Sequence, residues 1–222
     1  MDWDAFWLSI QLALWTVALL LPVSVFLGRM LAYRRFAGKS AVEALVMLPL
    51  VLPPTVLGFY LLVALGAESP LGRGWEALFG GPLVFSFEGL VVAYVLFNLP
   101  FAIQPAQRGF EAVPTDIRDA AACCGMSPLT ALRKVELPLA WPGVLTGMVL
   151  TFAHTLGEFG IVLLVGGSIP GETRTVAISI YDKVQAFDMD GAARMSATLL
   201  VISMATIALT FWLSARAGRR LS

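Results

Sequence analysis

The chain has 222 residues, of which 58% are hydrophobic and only 14% charged, with a mean hydropathy of +0.81. Ordinary soluble domains carry about a quarter charged residues, so this much apolar surface exceeds what a soluble core absorbs and points to an all-α integral membrane protein. Basic and acidic residues number 15 each, and with zero net charge nothing suggests nucleic-acid binding; lipid is the expected surroundings.

Crossing a hydrocarbon layer of about 30 Å takes roughly 20 apolar residues in a helix, because every backbone group must be paired internally there. Residues 5–28 form the first such stretch. Asp2 and Asp4 precede it with no basic residue, and the apolar run is too long for a cleaved leader, so a retained span is expected. The second stretch, 42–66, is interrupted by Pro49, Pro53 and Pro54. Residues 67–87 hold four Gly and two Pro, and read as a loop with at most one helical turn around Trp75 to Leu78.

The third stretch, 88–107, is broken at Asn98 and Pro100, where the helix loses hydrogen bonds and bends. The fourth, 142–166, carries His154, Gly157, Glu158 and Gly160. Residues 167–192 contain SIPGETRT and then Val176, Ile180, Val184 and Phe187 at helical spacing, which predicts a short helix along the outer membrane surface. The fifth stretch is 193–215.

Basic residues orient these five spans. Arg29, Arg34, Arg35, Lys39, Arg108, Arg118, Arg133, Lys134, Arg216, Arg219 and Arg220 fall on one side, leaving Arg73, Arg174, Lys183 and Arg194 opposite. The expectation is an external N-terminus, a cytoplasmic C-terminus and a cytoplasmic segment at about 108–140 within one domain over 1–222.

That segment contains DAAACCGMSPLTALRKVELP, residues 119–138. Thr115 is expected to cap a helix starting at Asp116, and Gly125 to end it in the left-handed conformation. Ser127-Pro128 then opens a second helix that Leu137-Pro138 stops. A helical hairpin of this kind is either a docking element or a plain connector between spans.

Its spacing resembles the EAA loop of ATP-binding-cassette importer permeases. The matching positions are Asp119-Ala120-Ala121, Gly125, Val135 and Leu137-Pro138, with Asp for Glu and Val for Ile. The resemblance implies a type I permease fold and a coupling helix that seats on a dimer of cytoplasmic ATPase subunits. The chain itself contains no G-x-x-x-x-G-K-[ST] and no G-x-S-x-G, so it is expected to be non-catalytic, binding no cofactor while the partner uses ATP.

A second resemblance is to molybdate permeases. It rests on Gly157-Glu158-Phe159-Gly160, on Ile169-Pro170-Gly171-Glu172-Thr173-Arg174-Thr175, and on LPLVLPPTVLG at 48–58. This implies a homodimer in the bacterial inner membrane importing an oxyanion, molybdate or else tungstate or sulfate. An external binding protein would dock near Pro170, Gly171, Thr173 and Arg174. Departures are His154 where relatives often have Arg, and Ile161-Val162 where they have Ala-Thr.

Ionisable groups inside spans point to function by default. Pro53, Pro54, Asn98, His154, Gly157, Glu158 and Gly160 are the candidates for the path or gate; the same kinks could simply shape a packed bundle. His154 and Glu158 stand four apart, so on a continuous helix they form either a satisfied polar pair or a coupled proton site. The second possibility would make the chain a proton-coupled carrier. With Cys123 and Cys124 adjacent and no His besides His154, no metal site is expected.

Overall fold

The computed structural model describes the backbone of residues 1–218 and side chains as far as residue 208; Arg219, Arg220 and the side chain of Arg216 lie outside the described residues. All regular elements among the described residues are helices. The longest, α1 (Trp3–Tyr33), starts where the Asp2 carboxylate accepts from the Ala5 amide at 3.1 Å. At 1.5 Å per residue it is about 46 Å long and serves as the ruler of the molecule.

Two breaks fall where the sequence places them. Between α2 (Lys39–Val51) and α3 (Pro54–Leu65) the chain turns by 110°, because Pro53 and Pro54 lack amide donors and push Leu52 into extended backbone at ψ 139°. Between α5 (Phe87–Phe97) and α6 (Leu99–Glu111) the bend at Asn98 is 43°. Counting each bent pair as one span, up to five crossings are possible by length and composition; the unbroken ones are α1, the run Pro128–Gly157 and the helix starting at Met189.

The stretch expected as a loop instead forms α4 (Pro70–Phe79). The Ser69 hydroxyl caps it at Gly72 N (2.8 Å), Pro70 opens it and Gly80 closes it at φ +78°. Gly72 is not a breaker here: a Cβ on it would lie 2.0 Å from the Gly66 carbonyl oxygen, so its role is close packing.

The segment expected in the cytoplasm holds α7 (Thr115–Cys123) and α8 (Pro128–Ala131), followed by a π turn over Leu132–Glu136 and α9 (Leu137–Gly157). Then come α10 (Gly160–Val165), α11 (Val176–Gln185) and α12 (Met189–Gly218). The expected stripe on α11 is split. Val176 is fully buried and Phe187 lies past the helix end, 86% exposed, while Ile178 and Ser179 are the other buried positions. The helix is pinned to α1: Ser9 Oγ accepts from the Val176 amide at 2.9 Å, and Ser179 Oγ donates to Asp2 at 2.8 Å. Asp188 opens α12 by accepting from Gly191 N at 2.9 Å, and the Lys183 ammonium bonded to it holds its carboxyl below the usual range.

The two ends of α1 therefore meet different partners. Its first turns touch residues 175–179, whereas Arg29 and Tyr33 meet Glu136 and Phe110.

The centre of the bundle is the α6/α9 contact, where backbones nearly touch. A Cβ on Gly143 would lie 2.5 Å from the Pro105 oxygen and 2.7 Å from Gly109 Cα, and one on Gly147 would lie 2.7 Å from the Ala102 oxygen. Small residues permit such approach where lipid gives no hydrophobic drive between helices. Gly143→Val should cost about 2 kcal/mol or more through overpacking, lowering the thermal midpoint of the purified protein. Gly74→Ala, whose Cβ meets nothing within 4 Å, serves as the neutral control; equal midpoints for the two variants would contradict this packing.

Candidate functional site

The segment 115–138 is built from local capping. α7 starts at Thr115 with Pro114 at the N-cap, one residue earlier than expected, since Pro114 (ψ 136°) already presents the extended entry. It ends in a Schellman motif: Met126 N donates to Ala121 O (3.2 Å) and Gly125 N to Ala122 O (2.9 Å), with Gly125 at φ +72°. That geometry fixes the three residues between Ala121 and Gly125. Asp119 and Ala120 face outward, while Ala121 is buried, so the small-residue stripe is divided between an exposed and a packed edge.

Beyond Ser127, whose hydroxyl accepts from Thr130 N at 3.3 Å, the helix does not stop at Leu137-Pro138 as expected. Pro138 lacks an amide and its ring crowds the carbonyl four residues back. The π turn absorbs both faults: Leu137 N reaches back five residues to Leu132 O, and the helix runs on into α9. Val135 and Leu137 are half-buried, and Pro138 is exposed.

The π turn also buries Glu136, which the sequence reading missed. Arg29 of α1 meets it with two parallel hydrogen bonds, Nε to Oε2 and an outer nitrogen to Oε1 at 3.0 Å. Next to this pair, Tyr33 OH donates to Phe110 O at 3.0 Å, and the Arg118 guanidinium sits 3.5 Å from the Tyr33 ring centre. The available signal was a lone carboxylate between two apolar motif positions, and a lone Arg near the end of an apolar run.

A second group of predicted residues meets at the helix breaks. The Asn98 amide donates to Tyr94 O (2.9 Å) and Thr155 Oγ1 (3.3 Å), and its oxygen lies 3.1 Å from His154 Nδ1. His154 stacks on Phe101 at 4.1 Å between ring centres. It does not share a helix face with Glu158, because α9 ends at Gly157 and Glu158 is extended at ψ 135°. Glu158 instead accepts from Ile161 N at 3.1 Å and thereby caps α10, while Tyr94 OH donates to its carbonyl at 3.3 Å. The pairing that motivated a coupled proton site is thus absent from the geometry.

Gly157 and Gly160 meet different surroundings. A Cβ on Gly160 would lie 3.0 Å from Pro54 Cβ, whereas Gly157 faces open space; Pro53 and Pro54 are exposed.

In the loop before α11, Gly171 turns at φ +79°. Thr173 and Arg174 fold that loop. Thr173 Oγ1 donates to Gly166 O (2.6 Å) and accepts from Ile169 N (3.1 Å), and Arg174 bonds Ser168 Oγ (3.1 Å) beside Asp182 (3.6 Å). Pro170, Gly171 and Glu172 form its exposed tip.

Residues 24–222 match the model of the family described as binding-protein-dependent transport system inner membrane component. The chain belongs to this family. Among relatives, the molybdenum transport system permease protein ModB of Azotobacter vinelandii is 45% identical over 202 residues, covering 91% of this chain and 89% of that protein. ModB of Haemophilus influenzae is 33% identical over 222 residues, covering 100% and 97%. A probable sulfate transport system permease protein, cysT of Chlorella vulgaris, is 29% identical over 206 residues, covering 93% and 77%.

The fold is also that of solved transporters. A chain of a bacterial ABC transporter that imports the acidic polysaccharide alginate superposes with a TM-score of 0.78 at 15% identity, over 96% of this chain and 78% of that one; that transporter has also been solved with its periplasmic protein, TM-score 0.77, at 16% identity and the same coverage. A chain of the MetNI methionine ABC transporter in inward-facing form gives 0.65 at 19% identity, over 100% and 94%. The chain is a multi-pass inner-membrane component of an importer of this architecture.

Two outcomes test the segment's construction. Gly125→Val meets no steric block but must adopt left-handed backbone, at about 1–2 kcal/mol; hydrogen exchange should accelerate over residues 115–127 and stay unchanged in α6. Uniform exchange throughout would contradict the motif's role. Arg29→Ala strands a buried carboxylate and should cost at least about 2 kcal/mol, largely recovered in Arg29→Leu/Glu136→Leu; a double variant no more stable than the single would contradict it.

Proposed function

We propose that the chain is the membrane-spanning permease subunit of an ATP-driven importer for molybdate, with an external N-terminus and a cytoplasmic C-terminus. The observation that carries the substrate is the 45% identity, across nine-tenths of the chain, to a protein named for molybdenum transport. In this reading residues 1–222 form a single permease domain and two copies enclose one path. The chain does no chemistry of its own; a cytoplasmic pair of ATPase subunits binds and hydrolyses the ATP.

Residues 115–138 are the proposed seat of each ATPase subunit, with Asp119, Ala120 and Gly125 at the exposed edge and Ala121, Val135, Leu137 and Pro138 setting its attachment. What supports this is mechanical. A helix closed by a Schellman motif, joined through the π turn to α9 and bound to α1 by Arg29, passes on a displacement rather than absorbing it. An Asp119 ion pair with a partner base adds only about 0–1 kcal/mol, so shape rather than charge governs docking.

The proposed cycle is alternating access. ATP-driven closure of the ATPase pair draws the coupling segments together and opens the outer side, where the exposed tip Pro170-Gly171-Glu172 receives a periplasmic oxyanion-binding protein. Thr173 and Arg174 hold that tip in shape. Hydrolysis resets the inward-facing state. Asn98, His154, Gly157, Glu158, Gly160, Pro53 and Pro54 lie at the helix breaks that would flex as the path opens.

Sulfate is the second reading, favoured by the identity to the probable sulfate permease. Uptake into liposomes holding this chain, its co-encoded ATPase and its binding protein separates the two. Labelled molybdate should accumulate only with ATP, and a hundredfold excess of sulfate should leave the rate unchanged. Accumulation of sulfate in place of molybdate moves the assignment to sulfate, and accumulation of either without ATP overturns the proposal.

A further inference from the structure

A crevice of about 770 Å³ lies between α1 and the coupling segment. Its upper wall is apolar, formed by Leu21, Pro22, Val25 and Phe26, the last 67% exposed. Its lower end is cationic. Arg29 there is committed to Glu136, but Arg34 and Arg118 have no carboxylate partner among the described residues, and Arg118 Nε is buried without a hydrogen bond.

The dimensions match one lipid leaflet. From Leu21 to Arg34 the helix rises about 20 Å, against about 15 Å for half the hydrocarbon layer. The guanidiniums thus stand at headgroup depth when the apolar wall lies along acyl chains. A water-soluble anion would have no use for the apolar wall, and a neutral lipid none for two unpaired guanidiniums.

We propose that this crevice binds one anionic phospholipid of the leaflet on the coupling-segment side. Its phosphate lies between Arg34 and Arg118, and its acyl chains lie along Pro22, Val25 and Phe26. Guanidinium groups recognise phosphate with parallel hydrogen bonds, and the cytoplasmic leaflet supplies anionic headgroups. Because Arg118 belongs to α7 and stacks on Tyr33 of α1, the bound lipid braces the coupling segment against the first span.

The proposal rests on the cytoplasmic placement of residues 108–140. That placement is tested separately by labelling the exposed Cys123 with a membrane-impermeant maleimide in sealed and opened vesicles.

The binding test is native mass spectrometry of the delipidated full-length protein titrated with phosphatidylglycerol, phosphatidylcholine or inorganic phosphate. One phosphatidylglycerol per chain should bind saturably, with affinity falling about fivefold in Arg34→Gln and about thirtyfold in Arg34→Gln/Arg118→Gln, at roughly 1 kcal/mol per guanidinium. Arg34 is exposed at the end of α1, so its single variant should remain folded. Arg73→Gln, on α4, should bind as the parent does. Equal affinity for phosphatidylcholine, displacement by millimolar inorganic phosphate, or no change in the double variant would each overturn the proposal.

Discussion

A carboxylate cannot be left unpaired at the edge of a membrane bundle, and Glu136 is 5% exposed. Its bidentate pairing with Arg29 is the constraint from which the half of the structure around the coupling segment follows. Glu136 ends the π turn, so binding it to α1 fixes where α9 begins and how the coupling segment hangs from the spans. Tyr33 and Arg118 repeat the attachment one turn later, through Phe110 and a cation over a ring. The segment that resembles a coupling helix is consequently part of the first span's framework rather than a loose link.

The other half is governed by broken helices and how their freed groups are satisfied. Two of the breaks are closed by polar side chains: Asn98 returns to Tyr94 O and reaches Thr155 and His154, and Glu158 caps the short α10. An unpaired backbone group costs several kcal/mol where water is absent, so these residues are structural first. The same residues, together with Pro53 and Pro54, sit at joints where the spans could flex, and this gives the proposed gate a physical basis independent of substrate chemistry.

Much of this was legible in the sequence because the signals are local. Paired prolines at 53 and 54 mark a turn, Gly125 marks a left-handed cap, and Ser127-Pro128 marks a helix start. What escaped depended on distance or on one local rule overriding another. Arg29 and Glu136 are 107 positions apart, and no periodicity links them. Leu137-Pro138 has the look of a stop, yet the widened turn before it accommodates the ring. The glycines of 67–87 look like breakers, yet Gly72 is there for the close packing of α4 against the end of α3. Glu158 was placed on the His154 face only by assuming that α9 continues through a Gly-Glu-Phe-Gly run that in fact interrupts it.

The central claim is that energy enters the spans through the segment 115–138. The most direct measurement is ATP hydrolysis by the reconstituted complex, with and without molybdate-loaded binding protein, comparing the parent chain with one whose residues 119–125 are replaced by a flexible Gly-Ser run of equal length. The account predicts stimulation by the loaded binding protein in the parent and none in the replacement, with the complex still inserted in the membrane. Equal stimulation in both would mean that the segment is a connector and that coupling enters elsewhere.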